Sequence, residues 1–526
     1  MKLKYYFIGL TFCCGLGLSS CNDSFLDRIP KDQLSDESFW KNSEDATKFV
    51  TGIYLWLPEP ENHTIMTDCY TDNAIPVHVG AEQGQLSAGT ATSDNPHFLQ
   101  LWQQAYSGIR RCLVYYQHIG EVEMDATEKE RLTAEVQFLE AFFYSTLLKY
   151  MGGVPILDHP LELNEKVPAR KTDEETYNYI VSLLDKAAPL LPNIRTSAEH
   201  GKPSAGACYA LKARMAFYMH KYDVAEAAAK LVMDMGDYGL YNHYGDLFQP
   251  VAEHCNEIIF DREYLENPKN SSEGSVIGLF FAPVMMGGWE ALSPTQDMVD
   301  AYPCTDGKTI AESPLYDPAN PFENRDPRLK FSILYNGAEI AGKVFDINNM
   351  GDGSHTRTGY SMRKYINPDN DGINNYDWTN FIYIRYAEVL LTYAEARNEN
   401  LSAPDKAVYD AVNAVRQRES VNLPALPSGL SKDQMRDAIR LERRLEFAFE
   451  GIHLFDTRSY RTTEKDVTKP VYGVNKAGEQ IYIETRKFNP QRDYLWAIPQ
   501  AEIDLTQNVL CLLYTSPSPR DGLLSR

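Results

Sequence analysis

The sequence predicts a mostly α-helical protein: tetratricopeptide-like helix pairs forming a scaffold, with a loop-rich second region that holds minor β-structure. Three observations carry that expectation. Leu132, Val136, Leu139, Phe143 and Leu147 recur at three- and four-residue steps across 128–151, the spacing that keeps side chains on one helix face. Two alanine-rich stretches, 204–220 and 223–235, flank Lys221-Tyr222, and Ala213, Ala216, Ala225 and Ala229 would let two helices lie close. The middle, 236–378, is crowded with Gly, Pro, Asn, Asp and aromatics, which favour turns over long regular elements.

Taken in order, the chain begins with a basic Met1-Lys2-Leu3-Lys4 and an uncharged, mostly apolar run from Tyr5 to Leu18, too short to span about 30 Å of hydrocarbon. It closes on Leu18-Ser19-Ser20-Cys21, which looks like a bacterial lipobox. On that reading 1–20 is a lipoprotein signal peptide. The mature chain starts at Cys21 with acyl chains, such as palmitate, on its thiol and amine. Each buried methylene contributes about 0.8 kcal/mol to anchoring. The alternative is an ordinary cleaved signal with a chance cysteine. Residues 22–36 read as a polar arm, and Ser35 as the cap of a first helix.

Helices are expected at 98–119, at 128–151 (stopped by Gly152-Gly153-Val154-Pro155) and at 174–191 (closed by Pro192), followed by the alanine-rich pair. This makes 21–235 an N-terminal helical region. The region 236–380 is loop-rich, with a short strand at Glu257-Ile258-Ile259-Phe260. Long loops on a rigid scaffold are where binding residues concentrate. A C-terminal helical region, 381–508, offers Phe381–Asn398 paired with Lys406–Glu419, then a helix over 432–450. Residues 509–526 read as translated vector or adapter sequence and are left out of the fold.

Composition excludes some functions. The 526 residues carry a net charge of −22, so phosphate backbones are not expected partners. With 24% charged and 43% hydrophobic residues, the chain is globular in character. The nine cysteines are scattered without a CxxC pair; those of the mature body are expected as buried small hydrophobes. No GxSxG, HExxH or phosphate-binding glycine loop occurs outside the signal. Glu442, Glu446 and Glu450 share one helix face. Paired carboxylates can cleave glycosides, but the arginines around them depress carboxyl pKa values, so a structural ion-pair network is the expectation. Asn367-Pro368-Asp369-Asn370-Asp371-Gly372 imitates the start of a calcium loop, with Asp369 and Asp371 as candidate ligands. Its twelfth position is Trp378 instead of a bidentate Glu, which favours a plain Asx turn and no metal or cofactor.

Motifs spread from about 18 to 505 resemble, in order, the SusD/RagB family of nutrient-binding outer-membrane lipoproteins. They include the lipobox with Leu26-Asp27-Arg28-Ile29-Pro30, Phe138-Leu139-Glu140-Ala141-Phe142-Phe143-Tyr144, and Val167-Pro168-Ala169-Arg170. Ala210-Leu211-Lys212-Ala213-Arg214 and Asn324-Arg325-Asp326-Pro327-Arg328 follow. The series ends with Ile384-Arg385-Tyr386-Ala387-Glu388-Val389, the run Glu442 to Gly451, and Tyr494-Leu495-Trp496-Ala497-Ile498-Pro499. The resemblance implies a helical fold that captures glycans or oligosaccharides without catalysis. It implies a lipid anchor in the outer membrane, facing the exterior, and delivery to a SusC-like TonB-dependent transporter. A surface glycoside hydrolase using Glu442 or Glu446, a peptide-binding relative, and a mainly structural transporter lid or adhesin are the alternatives.

Saccharide sites need flat rings for pyranose C–H faces and planar polar groups for hydroxyls. Three segments supply both: Tyr70, Asp72 and Asn73 through His78; Trp289 on its Met285–Glu290 loop; and Trp378. Trp40, Trp56, Trp102 and Trp496 are assigned to the core.

Overall fold

Helix starts in this chain are set by short polar side chains. In the computed structural model, Asn42 caps α1 (Ser43–Tyr54), Asn95 caps α2 (Pro96–His118) and Asp125 caps α3 (Ala126–Met151), each accepting from first-turn N–H groups. A reciprocal Thr172–Glu175 capping box opens α4 (Asp173–Ala187) and Ser204 caps α5 (Ala205–Tyr218), which is followed by α6 (Tyr222–Met235). Farther on lie α7 (Tyr386–Asn400), α8 (Lys406–Arg416), α9 (Lys432–Glu446) and α10 (His453–Tyr460). The structure describes residues 39–506 and 509–510, apart from 79–81, 197–198, 267, 270–272, 349–354 and 371–375. Cys21, Ser35, Asp371 and the tail from 511 lie outside these.

The helices pack in a row: α2 on α3, α3 on α4, α4 on α5, α5 on α6, and α6 on α7, which α8 and α9 also cover. Small residues set the spacing. A Cβ on Gly108 of α2 would stand 2.5 Å from the Phe143 ring of α3. Ala213 and Ala216 of α5, with Ala225 and Ala229 of α6, are buried as their pattern predicts. At the end of α3, Gly152 takes a φ of 75°. The next turn leaves no room for a side chain, since a Cβ on Gly153 would lie 2.0 Å from the Lys171 carbonyl oxygen.

Short antiparallel ladders stitch the loop-rich region to this row. β1 (Ala74–Pro76), β2 (Ile258–Arg262), β3 (Leu292–Pro294), β4 (Phe381–Arg385), β5 (Pro470–Val474) and β6 (Gln480–Thr485) pair as β1–β3, β2–β4 and β5–β6. Two expectations shift. The helix expected from Phe381 begins five residues later, because Phe-Ile-Tyr-Ile-Arg is a β-branched and aromatic run, buried throughout and paired with β2. The helix expected to reach residue 450 stops at Glu446, where the chain turns and Phe449 takes a φ of 63°. One hydrophobic cluster runs from Ala46 to Leu510 and draws on all three regions. Trp102 and Trp496 are inside it, whereas Trp40 and Trp56 are only half-buried against it. Cys69, Cys112, Cys208 and Cys304 are free and buried, and Cys255 is half-buried. Among the described residues no helix is long and apolar enough to cross a membrane.

Candidate functional site

The acidic triplet of α9 and the turn after it is sealed. Five cations, Arg328, Lys364, Arg385, Arg416 and Arg418, meet five carboxylates, Glu257, Asp326, Glu442, Glu446 and Glu450, in one buried network. Arg328 Nη1 reaches Glu442 at 2.6 Å and Glu446 at 2.9 Å. Arg385 binds Glu446 at 2.7 Å, Glu450 at 2.7 Å and Glu257 at 2.9 Å. Every oxygen of Glu442, Glu446 and Glu450 is engaged. Burial alone would raise the Glu446 pKa, but the guanidinium groups of Arg418, Arg385 and Arg328 outweigh it and hold the carboxyl well below the usual range. A carboxylate in that state has neither a proton to give nor a face for substrate. The neighbouring arginines of α9 itself pair elsewhere, Arg443 with Asp456 at 2.8 Å and Arg444 with Asp297 at 2.7 Å.

The loop after the short helix Ile277–Phe281 is built differently. Gly287 takes a φ of 94°, and a Cβ on Gly288 would lie 2.2 Å from the Ala282 carbonyl oxygen. The Trp289 N–H donates to Leu279 O at 2.7 Å, and the Glu290 N–H to Ala282 O at 3.1 Å. The backbone is therefore fixed while the indole stays 49% exposed, resting on Phe280 with centroids 4.9 Å apart. Glu290 beside it is wholly buried, with a φ of 49°; the Ser361 hydroxyl and the Val284 and Thr356 backbone face its carboxylate, but none closes to a well-formed hydrogen bond. Burial pushes its pKa up to about 7, and His355 Nδ1 stands 3.9 Å away. An open ring, a desolvated carboxyl and a backbone in a sparsely populated region make this a site candidate on physical grounds.

The ladders bring the other predicted segments toward this loop. In the β1–β3 register Pro76 faces Leu292, and Val77 N–H donates to Ala291 O at 3.0 Å. His78, the next residue along the chain, is exposed. On the other side, Asp377 bridges Ser275, at the entrance of the helix whose Phe280 underlies Trp289. Trp378 is half-buried there.

Tyr70, Asp72 and Asn73 depart from the expected open shelf, because all three are buried. Asp72 accepts from His453 Nε2 at 2.8 Å and pairs with Arg444 at 3.0 Å. Asn73 accepts from Arg444 Nε at 2.8 Å and donates to Asp68 at 2.8 Å. Tyr70 packs on Trp496. The polar atoms of Asp72 and Asn73 hold α9 and α10 against this segment, and His78 is its exposed residue. Asp369 sits in an Asx turn, its N–H donating to Asn367 Oδ1 at 2.9 Å. Among the described residues no three His, Cys, Asp or Glu side chains gather as a metal site.

Comparison with known proteins gives two family matches. The description "SusD family" fits residues 256–510, and "Starch-binding associating with outer membrane" fits residues 24–218. A SusD-like protein of Formosa agariphila is 25% identical over 90% of this chain and 95% of its own length. Among solved structures, a SusD-like carbohydrate-binding protein from Bacteroides fragilis superposes with a TM-score of 0.84 at 27% identity, covering 90% of this chain and 100% of that one. Surface glycan-binding protein A from Bacteroides thetaiotaomicron, in complex with laminarihexaose, gives 0.71 at 20% identity over 89% of this chain and 99% of that one. This second likeness is one of fold.

Proposed function

The chain belongs to the SusD family, and from that premise we propose that it is a cell-surface lipoprotein that binds glycan chains at Trp289 and passes them, uncleaved, to a SusC-like TonB-dependent transporter. The observation that carries the reading is the half-exposed indole on a loop whose backbone is fixed by two glycines and two hydrogen bonds. A rigid ring loses little conformational freedom on meeting a sugar face. The Lys343 ammonium, which reaches Met285 O at 3.3 Å, supplies a polar group at the same loop. Cys21 is the acylated residue on this reading, holding the protein on the outer membrane with its body outside. Catalysis is not part of the proposal, since the glutamates best spaced for it are locked in the buried network. No metal is required.

Calorimetric titration of the intact protein against a panel of neutral oligosaccharides, repeated with Trp289→Ala, tests the site. The expected result is micromolar to millimolar binding of at least one glycan, weakened about tenfold in the variant, unchanged by chelator and without release of reducing ends. Binding that ignored Trp289→Ala would refute the assignment. Co-purification of a β-barrel transporter, and loss of labelled-palmitate incorporation in Cys21→Ala, test the partner and the anchor.

A further inference from the structure

A cavity of about 960 Å³ opens between the end of α1, the first half of α2 and the segment 157–167. Its walls are unlike the Trp289 loop. Trp56, Trp102 and Tyr106 contribute rings, and those of Trp102 and Tyr106 pack with centroids 4.6 Å apart and planes tilted by 43°. His63 lines it with 4% of its surface exposed, and neither ring nitrogen has a hydrogen-bond partner. Gln104 beside that ring donates its Nε2 to Leu57 O at 3.0 Å, and its buried Oε1 is left without a close partner. Burial lowers the His63 pKa to about 4. At neutral pH the ring therefore offers one donor and one acceptor, a complement to a hydroxyl group.

Arg110 and Arg111 also line the cavity. Arg110 spends one N–H on Leu161 O at 2.9 Å, and Arg111 lies over Trp56 at 5.6 Å. Among the described residues neither has a carboxylate within ion-pair distance, in a chain of net charge −22. Two carboxylates share the lining. Glu59 accepts from Asn62 at 2.9 Å, and burial raises the pKa of Glu502. Buried orphan polar groups carry a cost that a ligand relieves, and an unpaired arginine pair favours a bidentate carboxylate.

We propose that this cavity is a second saccharide site, and that it takes a carboxylate-bearing sugar, a uronate unit, with its ring on Trp56 and its acid group on Arg110 and Arg111. The proposal rests on the reading of the chain as a saccharide binder, not on Trp289. Calorimetry on the intact protein with tetramers of galacturonate, mannuronate and guluronate, and with a neutral galactose tetramer, tests it. At least one acidic tetramer should bind. Arg110→Gln/Arg111→Gln should weaken it about tenfold or more and shift the neutral tetramer by less than about threefold. Trp56→Ala should weaken both tetramers, and Trp289→Ala should leave the acidic one within about twofold. Arg110 is exposed and Arg111 is half-buried over Trp56, so Arg110→Gln alone should keep the parental melting temperature and the double variant should lower it by no more than a few degrees. Binding of none of the acidic tetramers would overturn the proposal, as would acidic binding lost in Trp289→Ala but kept in the arginine variant. Neutral-glycan binding indifferent to Trp289→Ala, with acidic binding still dependent on Arg110 and Arg111, would overturn the Trp289 reading and leave this one standing.

Discussion

The network around Arg385 and the loop around Trp289 are both assembled from groups that resist desolvation, and they treat those groups oppositely. In the network each carboxylate oxygen of the α9 triplet meets a guanidinium or ammonium, and charge cancels inside the protein. At the loop a carboxyl is buried without a close hydrogen bond, His355 standing 3.9 Å away, next to an indole left half in water. The first arrangement holds six separate stretches of chain in one geometry. The second keeps unmet hydrogen-bonding capacity within reach of a surface where a ligand can arrive. Acidic residues at helical spacing were thus a poor guide to chemistry here, since the charges around them are cancelled.

Breaking the network should have the largest effect. Arg385→Met strands Glu446, Glu450 and Glu257 without their shared cation, and urea denaturation should show a loss of about 3–5 kcal/mol. A loss below about 1 kcal/mol would mean that water reaches these carboxylates. Next comes Glu290→Gln. The folded carboxyl keeps its proton to about pH 7, against an ordinary value of 4.5. The native state of the parent therefore loses stability as pH rises through that interval, while glutamine does not. The variant should gain up to about 3 kcal/mol over the parent above pH 7, with the gain vanishing below pH 4.5. Unfolding followed across pH reads this directly, and a flat difference would remove the desolvated carboxyl from the comparison.

Gly288→Ala sharpens the contrast from the backbone side. The added Cβ meets the Ala282 carbonyl, so the loop must move, costing about 1–3 kcal/mol in stability and reducing glycan affinity through Trp289. The smallest effect belongs to Trp289→Ala, whose half-exposed ring should change unfolding free energy by within about 1 kcal/mol, while its effect on binding is the larger one. A greater stability loss would place that ring among the packing residues.

Helices could be read from the sequence closely, because caps and periodicity are local. The three- and four-residue apolar steps of α3 and the small residues of α5 and α6 announce themselves within a few positions. The site could be read only in part. Trp289 declared itself by its flanking glycines. Tyr70, Asp72 and Asn73 looked like a polar loop because their partners were invisible: His453 and Arg444 lie 381 and 371 positions away along the chain. Arg328, Arg385 and Arg418 could not be matched to the α9 glutamates for the same reason. The motifs that carry the family resemblance prove to be joints. Arg214 holds Glu388 at 2.6 Å, Arg170 ties down Gly153 O at 2.8 Å, and Glu140 accepts from Tyr116 and Tyr179. Residues that maintain a scaffold recur as motifs, whereas a binding surface such as the Trp56 cavity has no local signature, since its rings, amides and arginines come from separate elements.

The ten-membered charge cluster also sets a timetable. Its cations come from positions 328 to 418, and three of its carboxylates are supplied only by positions 442 to 450. Until that late stretch arrives, the arginines have to stay hydrated and the centre of the molecule has to stay open. A polypeptide threaded N-terminus first through a membrane would keep its middle loose until most of its length had emerged, and would then close in one cooperative step.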